Sequence, residues 1–300
     1  MMTDPDIVYW AVMNDFFYAE TSRLVDKLRS GLSMQELFER RKGHIKRGVV
    51  DIHAYQKELE RAASSGVEIT RLTDEEYPET LKRTPNPPLL LYSKGKAIDF
   101  RNAIAVAGRR DLSFHGHAAA REIGRQLASK GFVVVSGLAH GADTEAHCGA
   151  LEAGGETVAV LAGWLGDIYP KENRNLAVDI MRNGALLTMT SPLKRVQRHY
   201  FIRRNRITSG VSRALVIVES NGRGGTARQV DWAIEQSRPV FVLEPDKKFQ
   251  EALAAYRSFM TDGAMGFSTV HELTRLVENL DEMDDTTTAE RRKRITDYAE

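Results

Sequence analysis

Six short apolar runs, each separated from the next by a stretch with helical spacing, dominate the chain from residue 103 onward. The runs are Ala103–Ala107, Phe132–Ser136, Thr157–Ala162, Ala185–Met189, Ala214–Val218 and Pro239–Leu243. A strand that is apolar along its whole length, not at alternate positions, must be covered on both faces. That is the condition of a parallel sheet with helices above and below. The intervening segments near 114–130, 142–154, 172–183, 200–212 and 226–237 supply those helices, and two more near 247–259 and 270–280 close the unit. Right-handed crossovers then give an α/β fold, a doubly wound, mostly parallel Rossmann-like sheet.

Residues 8 to about 66 follow a different rhythm. Trp10, Val12, Met13, Phe16 and Phe17 begin an apolar face at helical spacing, Leu24, Val25 and Leu28 continue it, and Gly31, Gly43 and Gly48 punctuate it. The spacing predicts a small N-terminal helical domain over 1–70. A connector over 71–100 carries Pro78, Pro85, Pro87 and Pro88, a density that opposes a regular helix and predicts an extended wrap on the main domain. The Rossmann-like domain spans 101–280, and 281–300 reads as a charged tail with too few apolar residues to fold alone. The acidic N-terminus is unlike a signal peptide, no apolar stretch reaches membrane-spanning length, and the single cysteine, Cys148, fits a reducing cytoplasm.

Charge is balanced overall, 42 basic against 41 acidic side chains, but not locally. Between Asp179 and Glu219 there is no acid, while Arg182, Lys194, Arg195, Arg198, Arg203, Arg204, Arg206 and Arg213 all fall inside. A positive window in a neutral chain points to a polyanion site rather than general stickiness. In an open α/β sheet the ligand edge lies beyond the carboxyl ends of the strands. Those ends carry Gly108-Arg109-Arg110, Ser136-Gly137 with His140-Gly141, and Arg223-Gly224-Gly225-Thr226. Glycines there let backbone N–H groups approach a phosphate, and the arginines add charge. Neither the dinucleotide-binding glycine pattern nor a Walker lysine loop is present, so no cofactor is expected. His140, Asp143 and His147 share a helix face at i, i+3 and i+7. The simpler reading is that Asp143 orders the turn and His147 packs with a satisfied ring, so no metal is assigned. A Ser136, His140, Asp143 hydrolytic set can be drawn, but only spatial arrangement would support one, and no catalytic residue is assigned.

The chain resembles the DNA-processing protein A (DprA/Smf) family between about Tyr77 and Val242. The resemblance rests on Tyr77-Pro78, Tyr92-Ser-Lys-Gly95, Val106-Ala-Gly-Arg-Arg110, Ser136-Gly-Leu-Ala-His-Gly-Ala-Asp143, Tyr169-Pro-Lys-Glu-Asn173 and Phe201 with Arg204-Asn-Arg-Ile207. It implies sequence-independent binding of single-stranded DNA, loading of a RecA-type recombinase in natural transformation and recombination, a homodimer, and a mediator more than an enzyme. It also implies a DNA pocket at Gly108, Arg109, Arg110, Arg204, Asn205 and Arg206; the positive window itself adds Lys194 and Arg203 as outer contacts. The sequence departs from the family pattern at Arg109, His140, Ile202 and Thr188-Met189, and shows no clear winged helix, so it reads as a divergent member. The loop Asn221-Gly-Arg-Gly-Gly-Thr226 also partly resembles that of LOG-type phosphoribohydrolases, with Gln229 where that family has a catalytic glutamate. The alternative is therefore a nucleotide-binding sensor or a LOG-like phosphoribohydrolase-related protein that hydrolyses nucleotides.

Overall fold

The computed structural model describes residues 6–46 and 50–280; the tail expected over 281–300 lies outside them. Four helices open the chain: α1 (Ile7–Phe17), α2 (Thr21–Arg29), α3 (Met34–Arg41) and α4 (Ile52–Ser64). Ser33 and Glu36 form a capping box at α3, and the Asp51 carboxylate accepts from Ala54 N at the start of α4. Both satisfy amides that a first turn leaves unpaired.

Next come β1 (Glu68–Arg71), the single turn α5 (Glu79–Lys82) and β2 (Leu90–Gly95). The repeating unit follows as β3 (Ala103–Ala107), α6 (Phe114–Ser129), β4 (Val133–Ser136), α7 (Ala142–Glu152), β5 (Thr157–Val160), α8 (Arg174–Asn183) and β6 (Ala185–Thr188). It continues through α9 (Arg198–Gly210), β7 (Ala214–Ile217), α10 (Gly224–Glu235), β8 (Val240–Leu243), α11 (Gln250–Thr261), β9 (Met265–Phe267) and α12 (Val270–Glu278).

The nine strands among the described residues form one sheet in the order β1-β2-β6-β5-β4-β3-β7-β8-β9. The six expected strands run parallel at its centre. Antiparallel β1 and β2 extend one edge, and parallel β9 the other. The proline-dense connector thus holds a strand and a helical turn as well as extended chain. Pro78 stands just before α5, where a missing N–H costs nothing. Residues alternate between the two faces as strand geometry requires. Ile104, Val106 and Val134 meet Ile123 and Leu127 of α6 on one side, while Ala105, Leu215 and Ile217 meet Val230 of α10 and Phe259 of α11 on the other.

The N-terminal helices share a core with the sheet: Met13, Leu37 and Leu59 belong to one buried cluster with Leu91, Val160 and Leu187. Polar ties reinforce it. Asn14 of α1 is fully buried, accepts from Leu89 N at 2.9 Å and Leu90 N at 3.3 Å, and donates to Met189 O at 2.8 Å. Beside it Asp15 accepts from Tyr55 Oη at 2.7 Å and Ser191 Oγ at 2.5 Å, and burial pushes its carboxyl above the usual range. No helix among the described residues is long and apolar enough to cross a membrane.

Candidate nucleic-acid interface

From β3 the chain winds outward through β4 and β5 to β6, then α9 carries it back to β7 on the other side of β3. The winding reverses between β3 and β7, so the ligand crevice of this topology opens at their carboxyl ends. The loops there are stitched together. Arg109 N donates to Glu219 O at 3.0 Å, Thr226 Oγ1 to Gly108 O at 3.0 Å, and Ala142 N to Arg109 O at 3.2 Å. Gly141 has φ 75°, and a Cβ there would lie 2.4 Å from Arg109 O and 2.5 Å from Arg110 O. The β3 and β4 loops can lie this close only because Gly141 has no side chain.

The β4 loop is held from within. Ser136 Oγ donates to Val106 O at 2.7 Å, and the Asp143 carboxylate accepts from Gly137 N and Ala139 N, both at 3.2 Å. The Arg204 guanidinium reaches the same carboxylate at 3.4 Å, with the two side chains 8% and 11% exposed. Burial lowers the Arg204 pKa, and the charge and hydrogen bond of Asp143 oppose that shift. Asp143 orders the turn as the sequence predicts. Arg204 is paired within the protein, where it ties α9 to the β4 loop.

Arg206 is drawn inward as well, donating to Pro85 O at 2.7 Å and meeting Glu235 at 3.3 Å. Asn205 Nδ2 donates to Gly225 O at 3.2 Å and so links α9 to α10. Arg109, Arg110 and Arg223 are exposed, with no hydrogen bond or ion pair to their guanidinium groups among the described residues. His140 is exposed and 3.8 Å from Glu172. Lys194 stacks on Phe16 and Arg203 on Tyr18 and Tyr200, which places both at the junction with α1. Of the aromatic rings that could stack on bases, Phe114 stands 86% exposed beside the β3 loop, while Trp164 packs edge-on against Tyr92.

His147 departs from the satisfied ring that the sequence suggests. Its Nδ1 lies 2.7 Å from Thr157 Oγ1, whose own proton goes to Val134 O, so Nδ1 carries the hydrogen. Nε2 is buried with no partner among the described residues. Burial and the Arg204 charge hold the His147 pKa down to about 3. An unfolded histidine takes up a proton near pH 6.5. Between those values the unfolded state binds the extra proton, so stability is complete above the upper limit and falls as the pH drops toward the lower. The slope attributable to this group is up to about 1.4 kcal/mol per pH unit. Denaturant unfolding from pH 7 to pH 5 should show that slope in the native protein and lose it in His147→Gln.

One acid that sequence reasoning passed over controls the helix beside the crevice. The Glu219 carboxylate accepts from Ser113 N at 3.1 Å and from Ser113 Oγ, over the first turn of α6, where a Cβ on Gly116 would meet it at 2.4 Å. A helix N-terminus at the end of the first strand is where this topology usually holds a phosphate. Here the protein's own carboxylate fills it. The adjoining cleft, about 860 Å³, is lined by Asp111, Glu219, Glu244, Asp246 and Glu251 against Arg109, His115 and Lys248. Acids thus outnumber cations in this cleft, to which the β3 loop contributes both Arg109 and Asp111. The available signal was an acid at a strand's carboxyl end, closing a long acid-free window.

Comparison with known proteins adds to this geometry. The family model of the DNA recombination-mediator protein A matches residues 68–278. The DNA processing protein DprA of Bacillus subtilis is 32% identical over 180 residues, covering 59% of this chain and 61% of that protein. Protein Smf of Synechocystis is 36% identical over 185 residues, covering 60% and 46%. The chain thus spans roughly half of these relatives' own length. Among solved structures, DNA processing protein A of Streptococcus pneumoniae superposes with a TM-score of 0.76 at 23% identity, covering 92% of this chain and 98% of that one. The Helicobacter pylori protein, reported for its single-stranded DNA binding mode, gives 0.62 at 24%, covering 72% and 96%. With a family match running from β1 to the end of α12, the chain belongs to the DNA recombination-mediator protein A family.

Proposed function

We propose that this protein binds single-stranded DNA without sequence preference and acts in DNA processing and recombination, including natural transformation. The observation that carries the reading is the pair of exposed, unengaged guanidinium groups of Arg109 and Arg110 on a rigid loop at the switch-point crevice. Guanidinium groups grip phosphate oxygens in pairs, and a loop pinned by hydrogen bonds keeps them aimed without an ordering cost. Exposed Arg223, Gly224 and Gly225 continue the path toward α10, and His140 and Gly141 border it on the β4 side. Base rings stack on Phe114. The single-stranded DNA binding mode reported for the Helicobacter pylori relative supports the same ligand. Handing the strand to a RecA-type recombinase, acting as a homodimer and working in the cytoplasm complete the proposal.

The nucleotide-hydrolysing alternative has less support. Gln229 is buried at 4% exposure and carries no ionisable group, and Glu219 competes with any phosphate for the α6 N-terminus.

Arg110→Ala is expected to weaken binding of an oligothymidylate about tenfold and to reduce the slope of log affinity against log salt by about 0.7, the value of one single-strand phosphate contact. Fluorescence anisotropy across a salt series reads both. An unchanged affinity and slope, with the melting temperature also unchanged, would remove Arg110 from the interface.

A further inference from the structure

The last residues of α1 and the one after it, Phe16, Phe17 and Tyr18, each carry a cation from a different element. Lys194 from the segment after β6 lies 3.6 Å from the Phe16 ring centre, Arg41 of α3 lies 5.4 Å from Phe17, and Arg203 of α9 lies 5.1 Å from Tyr18. Three consecutive aromatic residues thus join the positive helix α9 to the N-terminal helices. Phe17 and Arg41 also line a cavity of about 360 Å³ between α1, α2 and α3. Its walls present Lys27, Arg40, Arg41 and His44 against one carboxylate, Glu20, which is already paired with Arg41. Lys27 and Arg40 are exposed and in no ion pair among the described residues. The volume suits one nucleotide unit, and an aromatic wall beside free cations suits a base next to its phosphate.

We infer that this cavity is a second phosphodiester site, occupied by the same strand after it leaves the sheet edge and passes along α9. The inference rests on the reading of the sheet edge as a strand-binding surface and extends it onto the N-terminal helices. Lys27 and Arg40 make the phosphate contacts. Arg41, pinned by Glu20 and Phe17, shapes the wall.

The test compares a short oligothymidylate of about six residues with a long one of about thirty, since a single binding fold covers only some 4–16 nucleotides. In the double variant Lys27→Ala, Arg40→Ala the long strand should bind about tenfold more weakly, with a salt slope smaller by about 1.4 for two lost contacts. The short strand should bind as it does to the native protein. Arg110→Ala, by contrast, should weaken both lengths. An unchanged long-strand affinity in the double variant, while Arg110→Ala remains defective, overturns the second site alone. An equal loss on both lengths also overturns it, because the cavity would then not be the distal end of a path. Failure of the native protein to bind either strand overturns the sheet-edge reading, and the second site with it. Adenosine triphosphate serves as the free-nucleotide probe. If it binds in an Arg40-dependent way and neither strand displaces it, the site takes free nucleotides and the inference falls. Arg40→Glu, a charge reversal at the same exposed position, should deepen the long-strand defect with no change in melting temperature.

Discussion

Asp143→Ala is expected to lower the unfolding free energy by about 3–5 kcal/mol, the usual cost of stranding one member of a buried ion pair. The carboxylate serves three donors at once: the amides of Gly137 and Ala139, and the guanidinium of Arg204. Its removal leaves a charge in a site where the arginine side chain is 8% exposed, and leaves two loop amides without their acceptor. Urea unfolding measures the loss. The comparison that identifies its cause is the double variant Asp143→Leu, Arg204→Met. Removing both charges abolishes the stranded ion, so the double variant should be clearly more stable than Asp143→Ala. A double variant as unstable as the single one would mean that the loop amides, not the ion pair, carry the cost.

Gly137→Ala should be nearly as damaging, for a steric reason. A Cβ at this position would lie 0.8 Å from Arg204 Nη1 and 2.0 Å from Cζ. The tip of an arginine can ordinarily swing aside, but this one is buried and held by Asp143. Making room for one methyl group therefore breaks the ion pair or moves the loop, at a cost on the order of 3 kcal/mol. The effect should be strongly non-additive. In an Arg204→Ala background the obstructing atoms are gone, and Gly137→Ala should cost well under half as much. Equal costs in the two backgrounds, read by denaturant unfolding, would place the strain elsewhere. Both variants also displace the β4 loop, whose neighbour Ala142 holds Arg109 O, so strand binding should weaken along with stability.

The centre of the fold was legible because its strands are apolar along their whole length. Runs such as Ala103–Ala107 and Ala214–Val218, alternating with helical stretches, are what a doubly covered parallel sheet requires. The edges were not. β1 is four residues of mixed polarity, β2 begins two residues after Pro87-Pro88, and β9 is Met-Gly-Phe, too short to show a period. The site was half legible. Glycine loops and arginines could be placed at the ligand edge, because the carboxyl ends of parallel strands locate that edge. The fate of each arginine could not be read, because pairing is decided in three dimensions. A window without acids between residues 179 and 219 still receives Asp143 from α7 and Glu235 from α10. The arginines that looked central in the sequence, Arg204 and Arg206, are paired with Asp143 and Glu235, and the pair after β3 is exposed.

The buried amide of Asn14 has a consequence for how this chain can be cut or rearranged. One side chain on the first helix serves two backbone donors just ahead of and within β2 and one backbone acceptor just past β6. Those two strands are sheet neighbours, drawn from stretches nearly a hundred residues apart. A trimmed protein that dispensed with α1 would strip three main-chain groups of their partner at once, at about 1–3 kcal/mol for each one left out of reach of water. The opening helix is thus the keystone of the sheet's antiparallel border, and a shortened chain would have to begin ahead of Ile7 to keep that border closed.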